Sequence, residues 1–276
     1  MTIQTALEQG LGLLEEAAVS APRLTAEVLL CHALGCERPY LYSHPEQELG
    51  HNPWLHYGRY LHERLSGKPT QYITGRQEFY GREFRVTPEV FIPRPETEHL
   101  VETALRLAPG ARSVVDVGSG SGAIAVTLSL ELQRPVHATD ISVRALAIAA
   151  ENARRLGAEV RFVASDLVSA YADRSLDLIV SNPPYIPTTE EPGLPREVRD
   201  HEPRQALYAG PAGLDVYQRL AAEAARALRP GGWLILELGY RQIEAVRAMF
   251  DSRWAGIEVV ADLAGLPRVL AARFMA

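Results

Sequence analysis

A pentapeptide of alternating glycines, Gly118-Ser119-Gly120-Ser121-Gly122, separates the β-branched run Val114, Val115 and Val117 from an apolar helical stretch over 123–130. Few chain paths accommodate that order. A short buried strand, predicted over 113–117, must hand over to a helix through a loop whose backbone can approach a ligand, with the free N–H groups of the helix start facing it. The same unit then repeats. A strand over 135–139 ends at Asp140, an alanine-rich helix over 143–156 is closed by Gly157, and strands follow over 160–164, ending near Asp166, and over 176–181. Such alternation predicts an open α/β architecture with a parallel sheet. Residues 118–122, Asp140, Asp166 and Asn182 then all fall at the carboxyl ends of successive strands, which in an open sheet is the ligand crevice. One acid in such a place is an ordinary helix cap. Four polar features in phase along one edge predict a binding site.

The loop alone does not choose the ligand. Gly118, Gly120 and Ala123 also satisfy the dinucleotide pattern, with Asp140 as the ribose-binding acid, so NAD and S-adenosyl-L-methionine both stay open on this evidence. The tetrapeptide after the 176–181 strand, Asn182-Pro183-Pro184-Tyr185, narrows the chemistry. The nitrogen of an amide or exocyclic amine shares its lone pair with a π system, and becomes a nucleophile only when something turns that pair toward the electrophile. Two acceptors can do so, the Asn182 side-chain oxygen and the Pro183 carbonyl, each taking one N–H. The two prolines stiffen the backbone and offer no competing donor, and Tyr185 supplies a flat face. A strand followed by a proline-rich turn is the plain alternative. The chemical reading is an amino-group methyltransferase.

Beyond the tetrapeptide, residues 186–213 are rich in proline, glycine and charge, and read as a long irregular lid over the site. A helix over 214–228, a turn at Pro230-Gly231-Gly232, a strand over 233–238, a helix over 241–250 and strands over 257–260 and 268–274 close the chain. The last two strands are separated by a short loop and predict an antiparallel hairpin at the sheet edge, the seven-strand arrangement of class I methyltransferases. The first part is helical. Thr5 to Glu8 resembles a capping box, Ser20 with Pro22 opens a helix ending at Gly35, and Asn52-Pro53 opens another ending near Gly67. Leu24, Val28 and Cys31, then Trp54, Leu61 and Leu65, mark the predicted buried faces of a small bundle. Residues 77–80 and 82–86 predict a hairpin turning at Gly81.

Composition sets bounds. The 276 residues, 47% of them hydrophobic, suffice for two domains with their own cores. No apolar run reaches membrane-spanning length and the N-terminus lacks a signal-peptide pattern, which predicts a cytoplasmic protein. Cys31 and Cys36 read as packing thiols, His51 and His56 as surface residues, and no metal site is expected. A net charge of −6 argues against a broad nucleic-acid footprint; Arg196, Arg199 and Arg204 in the lid are where a local basic patch would form. Lys68 is the single lysine, a weak mark of a thermophile or a GC-rich genome.

Nearly the whole chain resembles the glutamine N5-methyltransferases of peptide-chain release factors (the PrmC/HemK family). The resemblance rests on Gly67-Lys68-Pro69-Thr70-Gln71-Tyr72-Ile73, Phe79-Tyr80-Gly81, Ile92-Pro93-Arg94-Pro95-Glu96-Thr97-Glu98, residues 118–122, Ser165-Asp166-Leu167, residues 182–185 and Glu202-Pro203. The Asn-Pro-Pro-Tyr motif is shared with nucleic-acid amino-methyltransferases; its pairing with the Ile-Pro-Arg-Pro-Glu-Thr-Glu segment is not typical of them. The resemblance implies a class I, Rossmann-like methyltransferase with a seven-stranded sheet, an N-terminal helical bundle and a linking β-hairpin, divided as 1–72, 73–95 and 96–276. It implies S-adenosyl-L-methionine over Gly118, Ser119, Gly120, Ser121 and Gly122, with Asp140 on the ribose, Asp166 and Leu167 near the adenine, and Asn182 beside both cofactor and substrate. S-adenosyl-L-homocysteine would be the product. The glutamine of a Gly-Gly-Gln tripeptide in a release factor would be held by Asn182, Pro183, Pro184 and Tyr185, and the bundle would dock that protein. Ser119 stands where many relatives carry threonine, and either supplies a hydroxyl. Two other classes stay in play: an adenine-N6 or guanine-N2 methyltransferase, which would show a basic groove, and an NAD-binding or non-catalytic Rossmann protein, which leaves residues 182–185 unexplained.

Overall fold

The computed structural model describes residues 1–239 and 241–276. It divides into two compact units, one of residues 1–76 with 195–201, the other of residues 77–194 with 202–276.

From Gln77 onward the larger unit opens with a hairpin of β1 (Arg76–Phe79, its first residue grouped with the smaller unit) and β2 (Arg82–Arg85), whose Tyr80 and Gly81 both have positive φ, as the twist of a two-residue hairpin turn requires. Its seven-stranded sheet is built from β3 (Val114–Val117), β4 (Val136–Asp140), β5 (Val160–Ala164), β6 (Leu176–Ser181), β7 (Leu228–Glu237), β8 (Trp254–Ala261) and β9 (Pro267–Phe274). The order is β5-β4-β3-β6-β7-β9-β8. The first five strands pair in parallel; β9 runs antiparallel to both β7 and β8. The expected edge hairpin is therefore present, with its second strand inserted beside β7. Alternation along the strands sorts the apolar side chains to two faces. Val114, Leu178, Ile235 and Ala271 join one core, which also takes Phe79 and Phe84 of the hairpin. Val115, Ile179, Leu234 and Leu270 join the other, covered by Tyr217, Leu220 and Ala224.

The smaller unit is built on α1 (Ile3–Glu16), α2 (Pro22–Leu34), α3 (Arg38–Ser43), α4 (His51–Leu65) and α5 (Thr70–Thr74). The larger unit carries α6 (Glu98–Leu107), α7 (Ala123–Leu132) and α8 (Val143–Leu156), and the chain then adds α9 (Arg196–Arg199), α10 (Arg204–Leu207), α11 (Asp215–Ala227) and α12 (Ile243–Arg247). Inside the helical unit Glu27 is buried. Burial works to raise its carboxyl, and hydrogen bonds from Tyr42, Arg38 and Arg23 outweigh that, holding it below the usual carboxylate range.

The structure differs from the sequence expectations at five places. The first helix begins earlier than the Thr5 capping box implied, because Thr2 caps it by accepting the Thr5 N–H at 3.2 Å. Leu24 is 46% exposed and the core of α2 uses Ala26, Leu29, Leu30 and Cys31, since this helix packs against both α1 and α4. The turn expected at Pro230-Gly231-Gly232 is an excursion inside β7: Leu176 pairs with Leu228 but Leu178 with Trp233. The lid is not wholly irregular. It contains a 3-10 turn (Thr188–Gly193), α9 and α10, and its residues 195–201 group with the helical unit, where Glu197 pairs with buried Arg64. The helix expected over 241–250 shortens to Ile243–Arg247.

Gly10 of α1 touches Tyr57 of α4 so closely that a Cβ built there would lie 1.9 Å from the Tyr57 hydroxyl oxygen, and that hydroxyl is buried with no partner among the described residues. Gly10→Ala is expected to destabilise the protein by about 1–3 kcal/mol through overpacking, and adding Tyr57→Phe to recover part of that loss. Urea denaturation of the two variants checks it; equal stability of the single and double variants would refute it.

Candidate active site

The chain leaves β3 at Val117 and enters α7 through three glycines with φ of +73° (Gly118), +53° (Gly120) and +82° (Gly122). Side chains rarely adopt that region. The Gly118 and Ser119 N–H groups both donate to the Thr139 carbonyl, at 2.9 and 3.0 Å, which ties the loop to the end of β4. A Cβ added at Gly118 or Gly120 would meet nothing within 4 Å, so conformation rather than crowding demands glycine there, and the space over the loop is open. At Gly122 a Cβ would lie 3.0 Å from Ala149 Cβ, so this glycine also lets α7 approach α8.

Asp140 clamps the same loop. Its Oδ2 accepts the Gly120 N–H at 2.9 Å and its Oδ1 accepts the Ser142 N–H at 2.8 Å. Each oxygen keeps a second lone pair. An open glycine cradle beside a fixed carboxylate suits a ligand with a ribose diol, and the residues present therefore fit a nucleoside cofactor. Asp116, which sequence reasoning passed over as part of an apolar strand, lies fully buried behind the loop. Its Oδ2 accepts the Ala125 N–H at 3.2 Å, in the first turn of α7. Burial pushes its carboxyl up to about 7, against the Ser119 hydroxyl and the Ala125 N–H, which favour the ionised form. The signal in the sequence was the acid itself, placed in the middle of a strand buried on both faces. Asp166 and Leu167 follow β5 on the same edge, but Asp166 is exposed and paired with Arg219 at 2.5 Å, and Leu167 has a φ of +50°.

Asn182 follows directly on β6. Ser181 donates its hydroxyl to the Val117 carbonyl at 2.7 Å, so the ends of β3 and β6, and with them the glycine loop and Asn182, are held side by side. The Asn182 Nδ2 donates to Thr97 Oγ1 at 3.2 Å, and Thr97 Oγ1 donates to Glu237 Oε2 at 2.6 Å. Thr97 and Glu237 are buried. Burial pushes the Glu237 carboxyl up to about 7, opposed by the Thr97 hydrogen bond and the charge of Arg268. The Pro183 carbonyl receives no hydrogen bond among the described residues. Tyr185 is half-buried, and burial with the nearby Glu237 charge holds its phenol well above the ordinary range. Its carbonyl accepts from Gln242 Nε2 at 2.9 Å. That contact reaches past Gly213, where a Cβ would lie 2.2 Å from the Tyr185 carbonyl oxygen.

Two motifs meet beside this turn. Glu202, buried, accepts the Ile92 N–H at 3.3 Å and pairs with Arg94, whose guanidinium lies 4.6 Å from the Phe91 ring centroid. The return of the lid is thus anchored to the segment that carries Thr97. Ile186 and Tyr208 form a bridge, closing the base of the 186–208 excursion. The lid arginines do not make a free basic patch: Arg196 and Arg199 pair with Asp200, and Arg204 with Glu191.

Residues 5–75 match the model of the PrmC N-terminal domain and residues 96–192 that of the methyltransferase small domain. The chain is 47% identical to the release factor glutamine methyltransferase of Koribacter versatilis, over 99% of both chains. It is 45% identical to that of Nitratidesulfovibrio vulgaris, over 99% of this chain and 95% of the relative. Among solved structures, a methyltransferase from Pyrococcus furiosus superposes with a TM-score of 0.54 at 18% identity, over 71% of this chain and 90% of that one, and so shares the fold. Near-complete coverage at this identity, on a seven-stranded methyltransferase sheet, shows that the chain belongs to the release factor glutamine methyltransferase family.

Proposed function

We propose that this protein transfers the methyl group of S-adenosyl-L-methionine to the side-chain amide nitrogen of the glutamine in the Gly-Gly-Gln motif of peptide-chain release factors, in the cytoplasm. The observation that carries the reading is the state of the Asn182 carboxamide. Its NH2 is committed to Thr97, which leaves its oxygen free to accept. With the Pro183 carbonyl it forms a pair of acceptors on a backbone stiffened by two prolines. A primary amide that gives one N–H to each is held with its plane fixed, so that the lone pair on the face of the nitrogen points toward the methyl donor. S-adenosyl-L-methionine, when bound over residues 118–122 with its ribose on Asp140, supplies the electrophilic methyl. Tyr185 bounds the amide plane. No residue need act as a strong base, because the methylated amide nitrogen is acidic enough to lose its proton to water.

The substrate class rests on the family and on charge. The net charge is −6 and the lid arginines are each paired, which supports a protein substrate over an adenine-N6 or guanine-N2 target. The relatives named above carry release factors in their names. In this reading residues 1–72 form the docking domain for the release factor, 73–95 the linker and 96–276 the catalytic domain, with Asp166 and Leu167 near the adenine.

Transfer of labelled methyl to a purified release factor, beside a Gly-Gly-Asn variant of it, duplex DNA and total RNA, tests the substrate. Label on the wild-type factor alone is expected; label on nucleic acid would overturn it. Asn182→Ala is expected to lower kcat by about 10²–10³-fold, the cost of losing one preorganised polar contact, with cofactor affinity by calorimetry nearly unchanged. A parallel loss of cofactor binding would move Asn182 to cofactor duty. A chain lacking residues 1–67 is expected to lose affinity for the release factor far more than for S-adenosyl-L-methionine, and equal losses would defeat the docking role.

A further inference from the structure

Resting on that reading of Asn182, we propose that Thr97 and Glu237 are positioning residues that select which end of the Asn182 carboxamide faces the substrate. An asparagine side chain presents an acceptor at one end and a donor at the other, and the two ends have nearly the same shape. Only the acceptor end can take an N–H from the substrate amide. A half-turn of the carboxamide would set an NH2 group against the substrate NH2 and close the site.

The geometry holds one orientation. Thr97 Oγ1 has a single proton, and at 2.6 Å the ionised Glu237 carboxylate takes it. The hydroxyl can then only accept from its other neighbour, so the atom of Asn182 that meets it at 3.2 Å must be the nitrogen. The oxygen is left for the substrate. Protonation of Glu237 reverses this logic. The carboxylic acid would donate to Thr97 Oγ1 and free the threonine proton, which would then favour the carboxamide oxygen and the turned, inactive orientation. The groups that face Glu237 are Thr97 ahead of α6, Arg94 and Glu96 in the same segment, Tyr185 after β6 and Arg268 of β9, while the Tyr217 hydroxyl of α11 donates to its backbone carbonyl at 2.8 Å. Burial in that setting places its titration at about 7. A raised carboxyl pKa means that the ionised, site-ordering form is complete above that pH and is lost as pH falls through it.

Thr97→Val keeps the shape of the side chain and removes the hydroxyl; Thr97→Ser restores it. The valine variant is expected to lose turnover on the order of 10–100-fold, the usual scale for a group that orients a contacting residue, with S-adenosyl-L-methionine affinity close to wild type and a lower thermal midpoint, because the buried Glu237 carboxylate loses its hydroxyl partner. The serine variant is expected to recover most of the rate. Wild type and the serine variant should both show a fall in kcat below about pH 7, and the valine variant a low, flat profile, because Glu237 no longer reaches Asn182. Wild-type turnover in Thr97→Val, an acid limb that persists in it, or a parallel loss of cofactor binding in the folded variant would each overturn the proposal. Asn182→Ala, run alongside, separates the two levels. Collapse there with normal turnover in Thr97→Val defeats the positioning role alone, whereas full turnover in Asn182→Ala defeats the reading on which both rest.

Discussion

The parallel pairing of Val117 with Ser181, sealed by the Ser181 hydroxyl on the Val117 carbonyl, is the contact on which the site depends. It sets the ends of β3 and β6 level. On one side of that level the backbone must turn through glycines with positive φ, and on the other it must turn through two prolines. A slip of one residue in this pair would move Asn182 to the opposite face of the sheet, because the side-chain period of a strand is two.

Around this pair the protein spends several buried carboxylates. Asp116 lies behind the glycine loop, Glu237 behind Asn182, and Glu202 under the return of the lid. Each costs desolvation free energy, and each is met by hydrogen bonds to groups that the fold needs in fixed places: the start of α7, the Thr97 hydroxyl, and the Ile92 N–H with Arg94. A hydrophobic residue in any of these places would pack more cheaply. It would not orient a backbone N–H, a hydroxyl or a guanidinium. The buried acids thus exchange stability for geometry around one crevice.

The elements read best from sequence were those with local stop and start signals. The helix over 143–156 and the strands over 160–164 and 176–181 end where expected, the helix capped by Ser142 and closed by Gly157 at a φ of +74°. Structure and local pattern part where tertiary packing overrides the pattern. Of the α2 stripe Cys31 is buried and Leu24 is exposed, because that helix has two neighbours and buries more than one face. At the start of α1 the difference is local: Thr2, three residues ahead of Thr5, is the cap. The lid read as one irregular segment, but residues 195–201 group with the helical unit, which no local signal announces.

The glycine loop, the phase of polar residues along one sheet edge and the acceptor chemistry of Asn182 and Pro183 were all determined by the sequence itself, because backbone permission, side-chain period and hydrogen-bonding capacity are local properties. Only the tertiary structure decided that Asn182 is held by Thr97, that Thr97 is held by Glu237, and that Glu202 gathers Ile92 and Arg94. Thr97 precedes Asn182 by 85 residues and Glu237 lies 140 beyond Thr97. No periodicity spans such separations. Which donor meets which acceptor there depends on how α6 and the chain ahead of it settle on the sheet, which is a property of the packed core.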